Sequence, residues 1–279
     1  MNSNSKTVKL DNILNIALIG VRRAAVFGAM GTNYTRSNNI NHKFPTEVLF
    51  QFVPDAICDS DKTHLIEEYE KWIILCAMRE LIETYCVFLD EIYSICCRIE
   101  FNKSKVQECD RRIEAYKKRG IAEKIDVLKS DFSIENPMGK YLKSIYRARN
   151  CYSHRSGIIS EIDLNQDGYF ELLWWSPELF IESNDGKEYI LPNPFPKEGI
   201  VIENGGTIFV RFIDKIKRYK KGEYLKLSIS DLSEMCFLLK HSAVQVIENI
   251  TKYLSNCKNI VLYPSVKCHL PKDAETEVK

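Results

Sequence analysis

The chain has 279 residues, 45% hydrophobic and 28% charged, with 39 Lys and Arg against 38 Asp and Glu. That composition excludes a disordered or fibrous chain and allows one core carrying an elaboration. A formal net charge of +1 excludes a global positive field for holding nucleic acid, so any such affinity must be local.

Leu10, Ile13 or Leu14, Ala17, Val21 and Ala24 recur at helical spacing and predict a first helix ending near Gly28 to Gly31. Its apolar stretch, Ile13 to Val21, is interrupted by Asn15, preceded by Asp11 and followed by Arg22-Arg23. That pattern fits a buried helix better than a secretory segment. No apolar run approaches the roughly 20 residues needed to span a bilayer, so a cytoplasmic chain without a membrane partner is expected.

A polar loop, Thr32 to Lys43, follows. Asp59-Ser60-Asp61 offer capping side chains for a second helix. From Ile66 through Tyr69, Ile73, Ala77, Leu81, Tyr85, Phe88, Ile92 and Ile95 to Ile99 the period stays near 3.6, giving about nine to ten turns. Glu67, Lys71, Glu83, Glu91 and Arg98 mark its solvent side. A more charged helical stretch, Ser104 to about Lys129, is broken at Gly120. Asn136-Pro137 opens another helix, with Met138, Leu142, Ile145 and Tyr146 toward the core.

From Ile158 the pattern becomes short β-rich runs. Asn165-Gln166-Asp167-Gly168, Ser183-Asn184-Asp185-Gly186 and Asn204-Gly205-Gly206 are hairpin signals, and the bend from Pro192 to Pro196 separates the last two. Helical period resumes at Asp231, with Leu232, Met235, Leu238 or Leu239, Ser242, Val246, Ile250 and Leu254 on one side. The predicted fold is mainly α, a helical bundle with a small inserted antiparallel β-hairpin region. Residues 1–160 and 229–260 form the bundle, 161–228 the insertion and 261–279 a tail.

Ten cysteines could suggest a disulfide framework, but Cys76, Cys86, Cys96, Cys97 and Cys236 lie inside apolar helical patterns and predict free thiols in a reducing compartment. No CxxC pair or His/Cys cluster has zinc-ligand spacing, and neither a metal nor another cofactor is expected. Asp163 to Gly168 matches half of a calcium loop, but its twelfth position is Trp174 where a bidentate Glu is needed, so a β-turn is expected. His42, His64, His241 and His269 show no partner spacing. In the insertion, Trp174 or Trp175 is expected to plug the sheet against the bundle.

Between Asn136 and Ser160 there is no Asp or Glu, whereas Lys140, Lys143, Arg147, Arg149, His154 and Arg155 all fall there. In sequence this is a concentrated positive stretch suited to a phosphate-bearing partner, with Tyr141, Tyr146 and Tyr152 able to stack on bases or simply to pack. Histidine can transfer protons at neutral pH, and a guanidinium supplies fixed donors to phosphoryl oxygens. Such groups can promote attack by the RNA 2′-hydroxyl without a metal.

The run Arg149-Asn150-Cys151-Tyr152-Ser153-His154, followed by Arg155-Ser156-Gly157, resembles the Arg, polar residue and downstream His of HEPN-domain ribonucleases, which are helical bundles. The resemblance covers the helices and leaves the β insertion unexplained. It implies an endoribonuclease of the toxin or antiviral-defence kind, with Arg149 stabilising the phosphorane, His154 transferring protons and Asn150 orienting. Lys140, Lys143, Arg147, Tyr152 and Arg155 would contact RNA. An antitoxin or defence protein is a further expected partner, and the rival expectation is a non-catalytic nucleic-acid, nucleotide or assembly module. At 100° per residue, Arg149 and His154 stand about 140° apart on an ideal helix. Either the helix ends before His154, or two copies meet about a two-fold axis, which is what the HEPN resemblance implies.

Overall fold

A computed structural model describes residues 6–35, 37, 58–101, 105–192, 196, 198–202, 205–257 and 260–262. Its helices are α1 (Leu10–Thr35), α2 (Asp59–Glu100), α3 (Val106–Lys117), α4 (Ile121–Phe132), α5 (Gly139–Arg155) and α6 (Ile229–Ser255). The strands are β1 (Lys6–Val8), β2 (Phe170–Ser183), β3 (Glu188–Ile190), β4 (Gly206–Tyr219) and β5 (Ile260–Leu262). The chain is mainly helical with a small three-stranded antiparallel sheet, as its periodicity predicts.

Helix α1 continues seven residues past Gly28 because Gly28 and Gly31 serve packing rather than termination. A Cβ at Gly28 would lie 2.8 Å from side-chain carbons of Ile229 and Leu232, and one at Gly31 would lie 2.0 Å from Ile73 Cδ1. Both predicted stops are sites where α1 presses against α6 or α2, so the expected loop is helical from Thr32 to Thr35, and of its remainder to Lys43 all but Ser37 lies outside the described residues. An 18-residue window of α1 has mean hydropathy 1.6, long and apolar enough by composition to cross a bilayer. This corrects the expectation that no such stretch exists. Here the helix buries Leu10, Ile13, Ala17 and Ala24 in the bundle core.

Helix α2 is 42 residues long, longer than its apolar repeat suggests. It is capped by Cys58, whose Sγ accepts from the Asp61 amide, rather than by the acidic run after it. Gly120 breaks α3 from α4 as predicted. The Asn136 side chain accepts from the Met138 amide at 3.0 Å and so organises the turn that starts α5.

At the centre of the bundle, three polar side chains close a ring. Tyr85 and Ser242 hydroxyl oxygens are 2.6 Å apart, Ser242 donates to Asn136 Oδ1 at 2.9 Å, and Asn136 Nδ2 donates to Tyr85 at 3.0 Å. Because the Ser242 hydrogen goes to Asn136, Tyr85 donates to Ser242, and each group both gives and receives. Burial drives the Tyr85 phenol pKa upward, keeping it a neutral donor.

The sheet order is β3-β2-β4, with β2 and β4 paired over 14 residues from Phe170↔Tyr219 to Ser183↔Gly206. Alternate β2 residues Phe170, Leu172 and Trp174 are buried in the same core as the helices. Trp174 is the expected plug, and its indole N–H donates to Glu234 of α6 at 2.7 Å. Trp175 stacks on Phe212 at 3.8 Å and lies 5.0 Å from the half-buried His241 ring.

Only Ser183–Gly186 among the three expected hairpin signals joins adjacent strands, β2 and β3. Asn165–Gly168 instead closes a turn before β2, with the Asn165 side chain accepting from the Asp167 and Tyr169 amides. Gly205-Gly206 leads into β4, which pairs with β2 and not with β3; Asn204 and Asn193–Phe195 of the Pro-rich bend lie outside the described residues. Unexpectedly, β1 pairs in parallel with β5, tying the first described element to the last described one. The predicted tail thus begins inside a strand, while residues 263–279, with His269, and His42 lie outside the described residues.

Tyr85→Phe strands an acceptor on Ser242 and a donor on Asn136, so it should cost about 1–3 kcal/mol in urea denaturation. Combined with Ser242→Ala it should cost less than the sum of the single changes. His241 supplies a pH test. Burial lowers its pKa from 6.5, against a weaker opposing pull from Glu248. The unfolded chain therefore binds the proton more readily, and this contribution to stability is complete above pH 6.5 and declines as pH falls through that value. Urea midpoints between pH 7.5 and 5.5 should fall less steeply in His241→Gln than in the parent.

Candidate active site

Helix α5 forms because Leu142, Ile145, Ala148 and Cys151 recur at three-residue spacing and are fully buried. It does not end before His154. The helix runs through Arg155, and Ser156 at φ 52° and Gly157 at φ 80° then reverse the chain. Gly157 is needed twice over, for that backbone and because a Cβ would lie 2.7 Å from the Tyr152 ring. Arg149 and His154 consequently keep their helical divergence.

Arg149 points at α2. Its Nη2 donates to Glu83 Oε1 at 2.6 Å and its Nη1 to Asn150 Oδ1 at 3.2 Å, whereas its buried Nε has no partner among the described residues. Glu83 also accepts from Arg79 Nε at 2.7 Å, so one carboxylate holds two guanidiniums. Burial raises the Glu83 pKa, but the hydrogen bonds and charges of Arg79 and Arg149 outweigh it and hold the carboxyl below its ordinary range. Glu83 was expected on the solvent side of α2; it lies at the boundary facing α5. One turn along α2, burial pushes the Cys86 thiol up to about 11, which leaves it protonated and unreactive.

His154 is exposed on the last turn of α5 and has no hydrogen-bond or ionic partner among the described residues. Asn150 lies four residues before it on the same face. The site elements of one chain are thus a shielded guanidinium joined to an amide, and an accessible imidazole displaced from that guanidinium around the helix.

The basic stretch is not a positive patch in three dimensions, because other elements supply the acids that its sequence lacks. Lys140 pairs with Asp214 of β4 at 2.9 Å and Lys143 with Asp126 of α4 at 2.7 Å. Arg147 donates to the Asp163 carbonyl at 2.5 Å and lies over the Phe170 ring. Arg155 grips both carboxylate oxygens of Asp163, a residue that also accepts from the Ser160 amide and hydroxyl at 2.9 Å each. Tyr152 donates to the Leu225 carbonyl. Arg155 and Tyr152 hold the chain after α5, so the RNA contact expected of them would have to compete with these bonds. Lys140 and Lys143 sit in exposed pairs that a phosphate can compete for.

Beside Tyr152 lies a cleft of about 480 Å³ between α1, α2 and the start of α6. Glu67, Glu70, Lys71 and Lys226 line it with both signs of charge. Sequence pattern does not find this cleft, because its walls come from segments far apart in the chain. Among the described residues no group of three or more His, Cys, Asp or Glu could hold a metal ion, and the nine described cysteines are free thiols.

No family model, curated protein or solved structure matches this chain.

The two kinds of ion pair separate in stability measurements. Asp163→Ala leaves the Arg155 guanidinium unpaired in a largely buried setting and should cost about 2–4 kcal/mol in urea denaturation. Lys143→Ala breaks an exposed pair and should cost under about 1 kcal/mol.

Proposed function

We propose that the chain is a HEPN-type, metal-independent endoribonuclease in which Arg149, Asn150 and His154 form the reacting site. The observation that carries this reading is the contrast within one helix end. Arg149 is fixed at the α2 boundary by Glu83 and Asn150, while the His154 imidazole at the end of the same helix is accessible and unclaimed. A guanidinium that exchanges its Glu83 partner for a phosphoryl oxygen supplies donors to the reacting group, and a free imidazole can exchange protons. In the reaction, the RNA 2′-hydroxyl gives its proton to His154 as its oxygen attacks phosphorus. The bond to the 5′-oxygen breaks, that oxygen takes up a proton, and a 2′,3′-cyclic phosphate remains.

Since Arg149 and His154 diverge on one helix, two copies would complete the site between them. Cytoplasmic location, a toxin or antiviral-defence role and a cognate antitoxin or defence partner follow from the same reading. The second reading is a non-catalytic HEPN module that binds nucleic acid or nucleotide or serves in an assembly, and the ion-pairing of Lys140, Lys143, Arg149 and Arg155 favours the assembly form, since a neutralised surface binds RNA weakly.

Incubation with total RNA in EDTA should yield fragments ending in 2′,3′-cyclic or 3′-phosphate. His154→Ala should lose about 10²- to 10⁴-fold in cleavage rate. RNA that stays intact with both proteins but shifts in a gel selects the binding module, and cleavage that needs added divalent metal rejects the mechanism.

A further inference from the structure

Strand β4 is a sheet edge whose outward backbone groups have no partner among the described residues. Its polarity follows from the bonds of β2. Leu173 N donates to Ser144 Oγ, Leu191 N donates to Leu179 O, and Ser183 N donates to Lys187 O. Odd-numbered β2 residues thus turn their backbone groups away from β4, and even-numbered ones bond it. In the register Phe180↔Phe209 and Glu178↔Arg211, the odd residues of β4 face β2. Ile208, Val210, Phe212 and Asp214 then direct N–H and C=O to the open side.

The same outward residues are apolar and exposed. Ile208, Val210 and Phe212 are 52%, 53% and 45% exposed, and Leu179 and Tyr189 lie on the same face. β4 has no proline and no bulge in its 14-residue pairing, and its lysines, Lys215 and Lys217, lie toward its C-terminal end, so its first half, Gly206 to Phe212, carries only Arg211 as a charge against addition of another strand. The strand on the opposite side of the sheet, β3, has only three residues, and Ser144 of α5 occupies the β2 edge beyond it.

We propose that two copies of this chain pair antiparallel along β4, forming a continuous six-stranded sheet about a two-fold axis. The sequence of β4 selects this occupant and its register. A two-fold at Arg211 would oppose the two Arg211 side chains, and one at Ile213 would oppose Arg211 and Lys215, both unfavourable. Two-folds at Phe212 and Phe209 also keep like charges apart, but the first sets Asp214 against Val210 and the second sets Phe212 against Gly206, whereas a two-fold at Val210 opposes Val210 to Val210 and Ile208 to Phe212, with Phe209 opposite Arg211, and alone matches these three outward apolar residues to one another. The outward backbone groups match those of the second copy in this register, as an isologous interface requires. The proposal rests on the sheet alone and stands whether or not RNA is the substrate.

Analytical ultracentrifugation of the full chain should show a concentration-dependent dimer. Val210→Lys, at an exposed position, should keep the parent circular dichroism spectrum and thermal midpoint while weakening dimerisation at least tenfold. Val210→Cys should give an oxidised dimer on a non-reducing gel that the parent, with its native thiols, and Ile208→Cys do not give. A protein that stays monomeric at all concentrations, a dimer indifferent to Val210→Lys, or a β4 edge that takes up a different protein or RNA instead of a second copy overturns the proposal.

Discussion

The bundle is organised around the buried ring of Tyr85, Asn136 and Ser242, because these three side chains belong to segments that must meet for anything else to form. Tyr85 stands in the middle of α2, Ser242 in the middle of α6, and Asn136 in the turn that launches α5. Reversing the ring would turn the Asn136 amide and take Oδ1 away from the Met138 amide, so one arrangement is best satisfied and it fixes rotation as well as contact. Apolar packing alone would tolerate a helix turned by one position; this ring does not. The direction of α5, and with it the placement of Arg149 against Glu83, is inherited from that constraint.

Charge is handled by pairing between elements rather than by segregation along the chain. The acid-free stretch of α5 meets Asp214, Asp126, Glu83 and Asp163, each from a different element. The exposed pairs contribute little to stability, but they orient α5 against its neighbours and leave His154 as the prominent uncommitted group at its end. Local sequence charge therefore overstated the surface field, while the accessible imidazole carries the functional reading.

Helix positions were legible because apolar residues repeat every three to four places, and the long and medium helices of the described residues write that period plainly. The failures share a cause. Gly28 and Gly31 look like stops in one dimension, and only the approach of Ile73, Ile229 and Leu232 shows them as contact points. Asn165–Gly168 has hairpin chemistry but sits before a single strand. The acid partners of Lys140 and Arg155 lie 74 and 8 residues away, and no local pattern distinguishes those pairings. For the candidate site, Arg149, Asn150 and His154 were readable from type and spacing, whereas Glu83 and the guanidinium's orphan Nε required the fold.

The pairing of β1 with β5 has a consequence for the order in which the chain acquires structure. Lys6 meets Ile260, and α1 lies against α6, so β1 and α1 wait for segments synthesised long after them. Closing such long loops delays the reward of native contacts, and helices α1 and α2 leave the ribosome with much of their apolar surface uncovered. Ser242 arrives late as well, so the polar ring at the centre of the bundle cannot close on a partial chain. A ribosome-bound intermediate that ends before α6 thus holds the residues of the candidate site without the framework that positions them, and shielding of α1 during translation falls to whatever binds nascent apolar helices.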